Sequence, residues 1–315
     1  TMKENLNKLF RAVTLKQLRA LAAVVQHGTY TAAARNLHVT PPAISIQMGL
    51  LEAMAGMPLV ERSGDHYLAT QAGQKLVEAA RVIEETLAES AEAIIHLKGA
   101  EGGQARVGIV STAKYFAPRA LAAFSRAHPG VDVRLSVGNR RETIAAMANH
   151  EIDFAIMGRP PQDFPVESVA FGEHPHVIIT PPDHPLVGQK NIPIKSLAQE
   201  RFLSREQGSG TRTLMNRLFA GVGIEPPIGM EIGSNETIKQ AVIAGLGVAL
   251  ISVHTVAIEL GDGRLTALDI QGMPLIRNWF VVRRQEKRML PATHALWDFL
   301  ESNGKSFLPV PVLPN

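Results

Sequence analysis

The sequence predicts an α/β protein in three parts: an N-terminal winged helix-turn-helix, a long linker helix and an α/β domain of two lobes. Three observations predict this class. Apolar residues follow helical spacing through residues 14–97, a Gly-rich stretch interrupts the pattern at 98–103, and short strand and helix patterns then alternate. The domain boundaries that we expect are 13–72, 73–101, 102–302 and a Pro-rich tail at 303–315.

The first two helices follow from local signals. Thr14 and Gln17 predict a capping box at the start of the first helix, which ends at His27-Gly28. A short Ala-rich helix is expected at 31–37. Helix, short helix, turn and helix is the order of a helix-turn-helix.

A third helix and a β-ribbon complete the expected winged domain. Thr40 is the expected N-cap, Pro41 suits the first turn, and Gly56 closes the helix after Ala55. The stretch 59–68 predicts two short strands around a Gly-Asp turn. The third helix is therefore the expected recognition helix.

A recognition helix presents small or polar side chains at its N-terminal end. Ser45 and Gln47 can hydrogen-bond a base edge or phosphate, Ile46 can only make apolar contact, and Arg62 lies on the wing. The residues that we expect at DNA are Thr31, Thr40, Pro41, Pro42, Ser45, Ile46, Gln47, Arg62 and His66. The alternative is a winged helix that contacts protein, since the helix carries little positive charge.

Residues 70–97 predict one long helix inside an acidic segment, because residues 73–101 carry three Lys/Arg against six Asp/Glu. Its apolar side alternates steps of four and three, as in a dimer seam, although such a stripe can also pack on its own domain. The expected dimerisation residues are Leu76, Ile83, Leu87, Ile94 and Leu97, with Ala80 and Ser90 as weak members.

The α/β domain is expected to hold a small anion. Ligands of open α/β sheets bind beyond the carboxyl ends of strands, where helix N-termini offer N–H groups. Four expected strand-to-helix corners carry hydroxyl, amide or cationic groups, although each alone can be an ordinary N-cap. The candidate effector residues are Ser111, Thr112, Lys114, Asn139, Arg140, Arg205, Ser209, Gly210, Thr211 and Asn235. A break at 160–165 predicts two lobes, with lobe I at about 102–173 and 277–302 and lobe II at about 174–276.

The composition excludes several kinds of site. None of the 315 residues is cysteine, so disulfides, thiolate metal sites and cysteine nucleophiles are excluded. No nucleophile elbow, P-loop or HExxH motif occurs. His174 and His176 have no evident carboxylate partner, so we expect no metal site. Because no catalytic motif occurs either, we expect no cofactor and no enzyme activity. The longest nearly apolar run, 241–253, is too short for a bilayer, and the N-terminus lacks a secretory pattern, so a cytoplasmic protein without a membrane partner is expected.

The segment 10–73, including Ala32-Ala33-Ala34, Val39-Thr40-Pro41-Pro42-Ala43-Ile44-Ser45 and Leu59-Val60-Glu61-Arg62, resembles the DNA-binding domain of LysR-type transcriptional regulators. The distal part resembles one branch, the CbbR regulators of the RuBisCO operon. The segments that carry this second resemblance are 110–118, 138–140, 156–161 and 205–212. One departure is Ile46, where the family usually has Arg, so phosphate neutralisation is expected to rely on Arg62, Lys16, Arg19 and Arg35.

The resemblance implies more than the residues alone. It implies a periplasmic-binding-protein-like (type II) effector domain, a dimer through the linker helix, and a homotetramer that bends double-stranded promoter DNA. For the CbbR branch it implies effectors that are phosphorylated metabolites or NADPH, and activation of carbon-fixation genes. We also expect RNA polymerase as a partner and repression of the regulator's own promoter. The alternatives are a LysR-type regulator of another pathway and a cytoplasmic α/β solute-binding protein or enzyme.

Overall fold

The computed structural model describes residues 11–97 and 102–310. The chain divides into two compact units between Ile94 and Ile95. Most of the expected linker segment, 73–101, therefore belongs to the first unit, and its hinge at 98–101 lies outside the described residues. None of the helices within the described ranges is both long and apolar enough to cross a membrane.

The first unit has the expected order of elements. They are α1 (Leu15–His27), α2 (Tyr30–Asn36), α3 (Pro41–Ala55), β1 (Val60–Ser63), β2 (His66–Ala69) and α4 (Gln71–Leu97). The capping box of Thr14 and Gln17 is present, and Gly28 ends α1 in the left-handed conformation with φ 75°. The end of α3 before Gly56 also agrees with the prediction.

Two helix starts differ in detail from the prediction. The N-cap of α2 is Thr29, whose hydroxyl accepts from the Ala32 N–H at 3.1 Å, so Thr31 lies inside the helix. Thr40 occupies the N-cap of α3 but makes no side-chain capping bond. Pro41 and Pro42 lack N–H groups, so fewer donors at this helix end need a partner.

Close approaches fix the wing on this unit. A Cβ at Gly73 would lie 1.9 Å from the Leu59 carbonyl oxygen, and one at Gly28 would lie 2.5 Å from His66 Nδ1. The Tyr67 N–H also donates to the Gly28 carbonyl at 2.7 Å. Glycine at 28 and 73 therefore lets β1 and β2 pack against the helices.

The apolar stripe of the long helix α4 is buried in its own unit at one end and exposed at the other. In its first turns Ala80 is buried and Leu76 half-buried in the core of its own unit. Further along, Ile83, Leu87 and Ile94 are 38%, 41% and 54% exposed. Leu97 ends the helix, and its side chain lies outside what the structure describes. The unpartnered stripe therefore begins near Ile83 rather than at Leu76.

The second unit alternates strands and helices. The strands are β3 (Gly103–Val110), β4 (Val131–Gly138), β5 (Phe154–Met157), β6 (Val166–Thr180), β7 (Phe202–Arg205), β8 (Ile228–Ile232), β9 (Ala249–Ser252), β10 (Thr266–Ala267) and β11 (Leu275–Arg284). The helices are α5 (Ala117–Ala127), α6 (Arg140–Ala148), α7 (Gly210–Val222), α8 (Asn235–Ile243), α9 (Val253–Gly261) and α10 (Pro291–Asn303). Short 3₁₀ turns lie at Ser111–Tyr115, Ile194–Gln199 and Gly304–Phe307.

A seven-stranded sheet runs through this unit in the order β10-β6-β11-β5-β3-β4, with β9 also paired to β6. Strands β3, β4 and β5 are parallel neighbours, whereas β11 is antiparallel to both β5 and β6. Strands β7 and β8 form a separate parallel pair.

The two lobes have separate cores, and the expected boundary near 173/174 falls within β6, whereas the expected break at 160–165 does not separate the lobes. One core contains Phe116, Phe154 and Trp297, and the other lobe holds two clusters, around Val242 and around Phe202. Residues 160–165 form a loop that precedes β6, and the chain crosses between lobes within β6 itself. This strand pairs with β11 over 166–176 and with β9 over 176–179, so a change of strand partner replaces the loop that we expected.

The end of the chain also differs from a Pro-rich tail. Helix α10 is followed by the turn Gly304–Phe307, and Phe307 and Leu308 pack against the core of lobe I. The last residues, 311–315, lie outside the described part of the chain.

Candidate nucleic-acid interface and ligand cavity

The helix α3 separates an inward from an outward face. Ile44, Met48 and Leu51 are 2%, 1% and 0% exposed and belong to the core of the first unit. Ser45 is exposed, and Ile46 is 60% exposed. This division is the one that the helical spacing predicts.

All nine residues expected at DNA are accessible to solvent. Gln47 is half-buried, and the side chains that are exposed are Thr31, Thr40, Pro41, Pro42, Ser45, Ile46, Arg62 and His66. The exposed N-terminal end of α3 therefore presents hydroxyl and apolar groups without a positive side chain, a surface suited to reading base edges and methyl groups.

The positive charge near this surface lies on neighbouring elements. Lys16 and Arg35 are exposed, and the Arg62 Nε donates to the Gly64 carbonyl at 3.0 Å, which holds the guanidinium on the wing. Arg19 differs from the expectation, because it donates to both carboxylate oxygens of Glu84, with 3.0 Å between Nη2 and Oε2. Its charge is therefore balanced by a carboxylate within its own unit.

A cavity of about 240 Å³ lies between the two lobes of the second unit. Eight of the ten residues expected at the effector line it, and these are Ser111, Thr112, Asn139, Arg140, Arg205, Ser209, Gly210 and Thr211. Asn139 caps α6 in a capping box with Glu142, and Ser209 is the N-cap of α7. Two helix N-termini therefore border the cavity, as expected for an anion site.

Lys114 and Asn235 are not among the residues that line the cavity. Lys114 is exposed, with its Nζ 5.2 Å from the centre of the Tyr115 ring. Asn235 is 1% exposed, and its Oδ1 accepts from Arg205 Nη1. The corner motif correctly brought Asn235 near the site, but its side chain holds an arginine rather than facing the cavity.

Arg205 is the most deeply buried cation of the cavity, at 3% exposure. Besides the bond to Asn235, its Nη2 donates to Ser111 Oγ at 3.2 Å, and its Nε donates to Glu206 at 2.8 Å. Burial is the largest influence and acts to raise the pKa of Glu206, but the hydrogen bonds and charge of Arg205, together with hydrogen bonds from the backbone and Asn139, lower the pKa overall. These bonds fix the guanidinium before any ligand arrives.

Five arginines line the cavity, together with a single acidic residue, Asp163. They are Arg140, Arg159, Arg205, Arg217 and Arg277. Burial, followed by the nearby charges of Arg159, Arg217 and Arg277, lowers the pKa of Arg140. Repulsion among these cations is relieved by an anionic ligand, so the arrangement favours binding of negative charge.

Sequence reasoning missed three of these arginines. Arg159 follows β5, and Arg277 lies within β11, where no corner motif marks it. Arg217 had a usable signal, because Gly210, Leu214 and Arg217 share one face of α7 at steps of four and three, and all three line the cavity.

A buried aromatic cluster adjoins the cavity. The His174 ring stacks on Trp279 with 3.7 Å between centroids and lies 4.2 Å from the His176 ring. The Trp279 indole N–H donates to His254 Nδ1 at 3.0 Å. Burial lowers the pKa of His176 to about 3 and that of His254 to about 4. Within residues 11–97 and 102–310 no group of three or more His, Asp or Glu residues is arranged to hold a metal ion.

Contacts across the cleft join the lobes beside the cavity. Asn139 Nδ2 donates to Glu206 Oε1 at 3.3 Å, and the Arg141 N–H donates to the Gly208 carbonyl at 3.1 Å. Gly208 has φ 91°, a conformation that favours glycine.

Two family profiles match the chain. Residues 15–74 match "Bacterial regulatory helix-turn-helix protein, lysR family", and residues 98–305 match "LysR substrate binding domain".

Individual proteins are similar over almost the whole chain. The "HTH-type transcriptional regulator CbbR" of Xanthobacter flavus is 50% identical over 298 residues, which cover 94% of this chain and 90% of that protein. The "RuBisCO operon transcriptional regulator" of Allochromatium vinosum is 42% identical over 292 residues, 93% of this chain and 97% of that protein.

One similar solved structure includes a ligand. It is the CcmR regulatory domain of Synechocystis PCC6803 in complex with 2-PG, 37% identical with a TM-score of 0.63, covering 67% of this chain and 100% of that chain.

Proposed function

Because the chain belongs to the LysR family of transcriptional regulators, we propose that it controls a carbon-fixation (RuBisCO) operon in response to a small phosphorylated carboxylate. It is a DNA-binding regulator rather than an enzyme. The similarity to RuBisCO operon regulators supports the target, and the arginine-lined cavity supports the ligand class.

The charge of the cavity carries the ligand proposal. Arg205 is paired with Glu206, and Asp163 also lines the cavity, but the remaining arginines still exceed what a single carboxylate requires. A phosphate and a carboxylate together can engage several guanidinium groups in paired hydrogen bonds. The structure of a similar domain in complex with 2-PG agrees with this class.

The size of the cavity favours a small ligand over NADPH. Its volume of about 240 Å³ lies below the roughly 300–1,000 Å³ that is typical of sites for drug-sized ligands. A dinucleotide therefore needs a wider cleft than the one present here. Between the two effectors that the family resemblance implies, the cavity favours the phosphorylated metabolite.

The DNA-binding unit forms one half of a two-fold symmetric dimer that binds DNA. Two copies paired through the exposed stripe Ile83–Ile94 of α4 place two α3 helices on the half-sites of an inverted repeat. A ligand between the lobes changes transcription only through its different affinity for two arrangements of the oligomer, with a typical coupling of roughly 1–3 kcal/mol. We further propose a cytoplasmic homotetramer that acts with RNA polymerase and represses its own promoter.

Isothermal titration calorimetry tests the ligand class. The probe is 2-phosphoglycolate, a small phosphorylated carboxylate, and we expect it to bind at micromolar concentration. We expect NADPH to bind at least tenfold more weakly and benzoate to give no heat of binding. Benzoate represents the alternative of a LysR-type regulator of another pathway. Binding of benzoate without binding of 2-phosphoglycolate contradicts the proposal.

Gel-shift assays test the target. We expect salt-sensitive retardation of the promoter region of a RuBisCO operon, which 2-phosphoglycolate shifts by about fivefold or more in apparent Kd, in line with the coupling above. Retardation that is equal for scrambled DNA of the same composition contradicts sequence-specific control, and no retardation at all favours a winged helix that contacts protein.

A further inference from the structure

The ligand cavity is lined by two histidines as well as by its arginines. His174 and His176 line it and are each only 4% exposed. Neither ring nitrogen of His174 has a hydrogen-bond partner in the structure. An imidazole buried without a partner loses the hydrogen bonds that water would supply, so such a group beside a cavity points to a ligand that supplies them.

Close packing surrounds the His174 ring at the edge of the cavity. One face of its ring stacks on Trp279. A Cβ at position 158 would lie 2.9 Å from His174 Nδ1, and Gly158 itself lines the cavity. Any other residue at position 158 would therefore press against the ring, so glycine is required at this edge of the cavity.

The neighbouring His176 has a defined tautomer. Its Nδ1 lies 3.1 Å from the His174 carbonyl oxygen, so Nδ1 carries the proton and donates it. The unprotonated atom is then Nε2, which is the position that can accept a proton. The two rings are in contact, so they titrate as a pair rather than independently.

The charged and titratable groups that face the pair most closely act against its protonation. On β6 the two histidines face each other, Arg277 lies directly opposite His174 on β11, and His254 approaches from α9. Burial, followed by His176, His254 and Arg277, holds the pKa of His174 well below its usual value. Both rings are therefore neutral near pH 7.

A dianion in the cavity favours protonation of the histidine pair, whereas the protein groups around the pair oppose it. With a phosphate in the cavity, its negative charge replaces net positive charge as the nearest ionic neighbour of the rings. We propose that His174 and His176 form a proton-accepting subsite, so that binding of a phosphorylated ligand is accompanied by uptake of a proton from solvent onto this pair. The proton adds to a ring nitrogen, and the resulting imidazolium donates a hydrogen bond to a phosphate oxygen. This inference rests on the proposed binding of an anion between the lobes.

The sign of the pH dependence follows from linkage. Binding raises the pKa of the pair, so affinity increases as pH falls through the pKa of the bound state and stops increasing below the pKa of the free state. Uptake of one full proton corresponds to about a tenfold change in Kd per pH unit. A bound phosphate monoester held by arginines has the opposite tendency, since its own pKa falls and it releases protons.

Calorimetric titration of the full-length protein with 2-phosphoglycolate measures the protons directly, from the dependence of the heat on the ionisation enthalpy of the buffer. At pH 7.0 we expect uptake of more than half a proton per site and a Kd that weakens about three- to tenfold at pH 8.0. The variants His174→Phe, which retains an aromatic ring against Trp279, and His176→Asn are expected to lose this uptake. Both variants are expected to bind 2-phosphoglycolate more weakly than the unmodified protein, and this loss is larger at pH 7.0 than at pH 8.5, because protonation of the pair contributes only at the lower pH.

His294→Asn is the matched control, because His294 is an exposed histidine on α10 and its loss leaves the uptake unchanged. Binding of 2-phosphoglycolate without proton uptake overturns this inference and leaves the proposed function intact, whereas absence of binding overturns the proposed function and this inference with it. Uptake that persists in both variants also overturns the subsite. Should His174→Phe fail to fold, as shown by its thermal unfolding, the His176→Asn variant decides alone.

Discussion

The recognition helix and the ligand cavity differ in the positive charge that they present. Helix α3 contains no basic residue, and its outward groups are a hydroxyl, an amide and the apolar Ile46. The cavity instead gathers five arginines around about 240 Å³. On an exposed surface water and salt screen charge, whereas in a partly enclosed cavity charges are screened less. We infer that DNA is selected mainly by shape and hydrogen bonding and the small ligand mainly by charge.

The largest effect is expected in the cavity. Arg140 is half-buried and donates to the carbonyls of Arg159 and Pro160, so Arg140→Met removes a charge that is already positioned. We expect binding of 2-phosphoglycolate to weaken by about a hundredfold, or roughly 3 kcal/mol. Calorimetry measures this loss, and DNA binding without ligand stays within twofold. Arg126→Met, which removes an exposed arginine of α5, is the control that leaves both unchanged.

A second prediction concerns the packing of the winged unit, which holds helix α3 in place. Gly73→Ala places a methyl group 1.9 Å from the Leu59 carbonyl oxygen, so we expect a loss of about 1–3 kcal/mol in the free energy of unfolding of the winged unit. Gly49→Ala meets no atom within 4 Å on the exposed side of α3 and is expected to stabilise it by about 0.5–1 kcal/mol. Differential scanning calorimetry of the full chain measures both effects. The unfolding transition of the winged unit is the one whose temperature rises when cognate DNA is added. Equal effects would contradict the close packing of Gly73.

Base selection is expected to depend on an uncharged side chain. Ser45→Ala removes an exposed hydroxyl at the start of α3, so discrimination at one or two base pairs of the operator should fall by about 1–3 kcal/mol. Competition gel shifts with single-base operator variants measure this. A uniform loss of affinity for all sequences would assign Ser45 to the phosphate backbone instead.

The smallest effect is expected from the wing. Arg62→Ala removes one exposed charge, so affinity should fall similarly for specific and scrambled DNA, and the slope of log K against log salt should decrease by about one. Arg19→Ala is the matched control, because its charge is balanced by Glu84 and its slope should stay the same. A change of slope for Arg19→Ala but not for Arg62→Ala would reverse this assignment.

Local signals predicted the first unit almost completely. The capping box of Thr14, the prolines that open α3 and the glycines at 28 and 56 each act within about four residues of the element that they start or end. The same holds for the corner residues Ser111, Asn139 and Ser209, since a strand followed by a helix N-terminus is readable from a short window. The sequence left the role of the stripe on α4 open, and the burial of Leu76 and Ala80 shows that its first turns pack on their own unit.

The winged helix-turn-helix, the alternation of strands and helices, and eight of the residues around the cavity could be predicted from the amino-acid sequence, because periodicity and capping are properties of neighbouring residues. Only the tertiary structure decided that β6 carries the chain from one lobe to the other and that Arg277 lies opposite His174. Sheet register joins positions more than a hundred residues apart, and no local pattern encodes which charges it brings together. The charge of the cavity is therefore a property of the assembled sheet and helices.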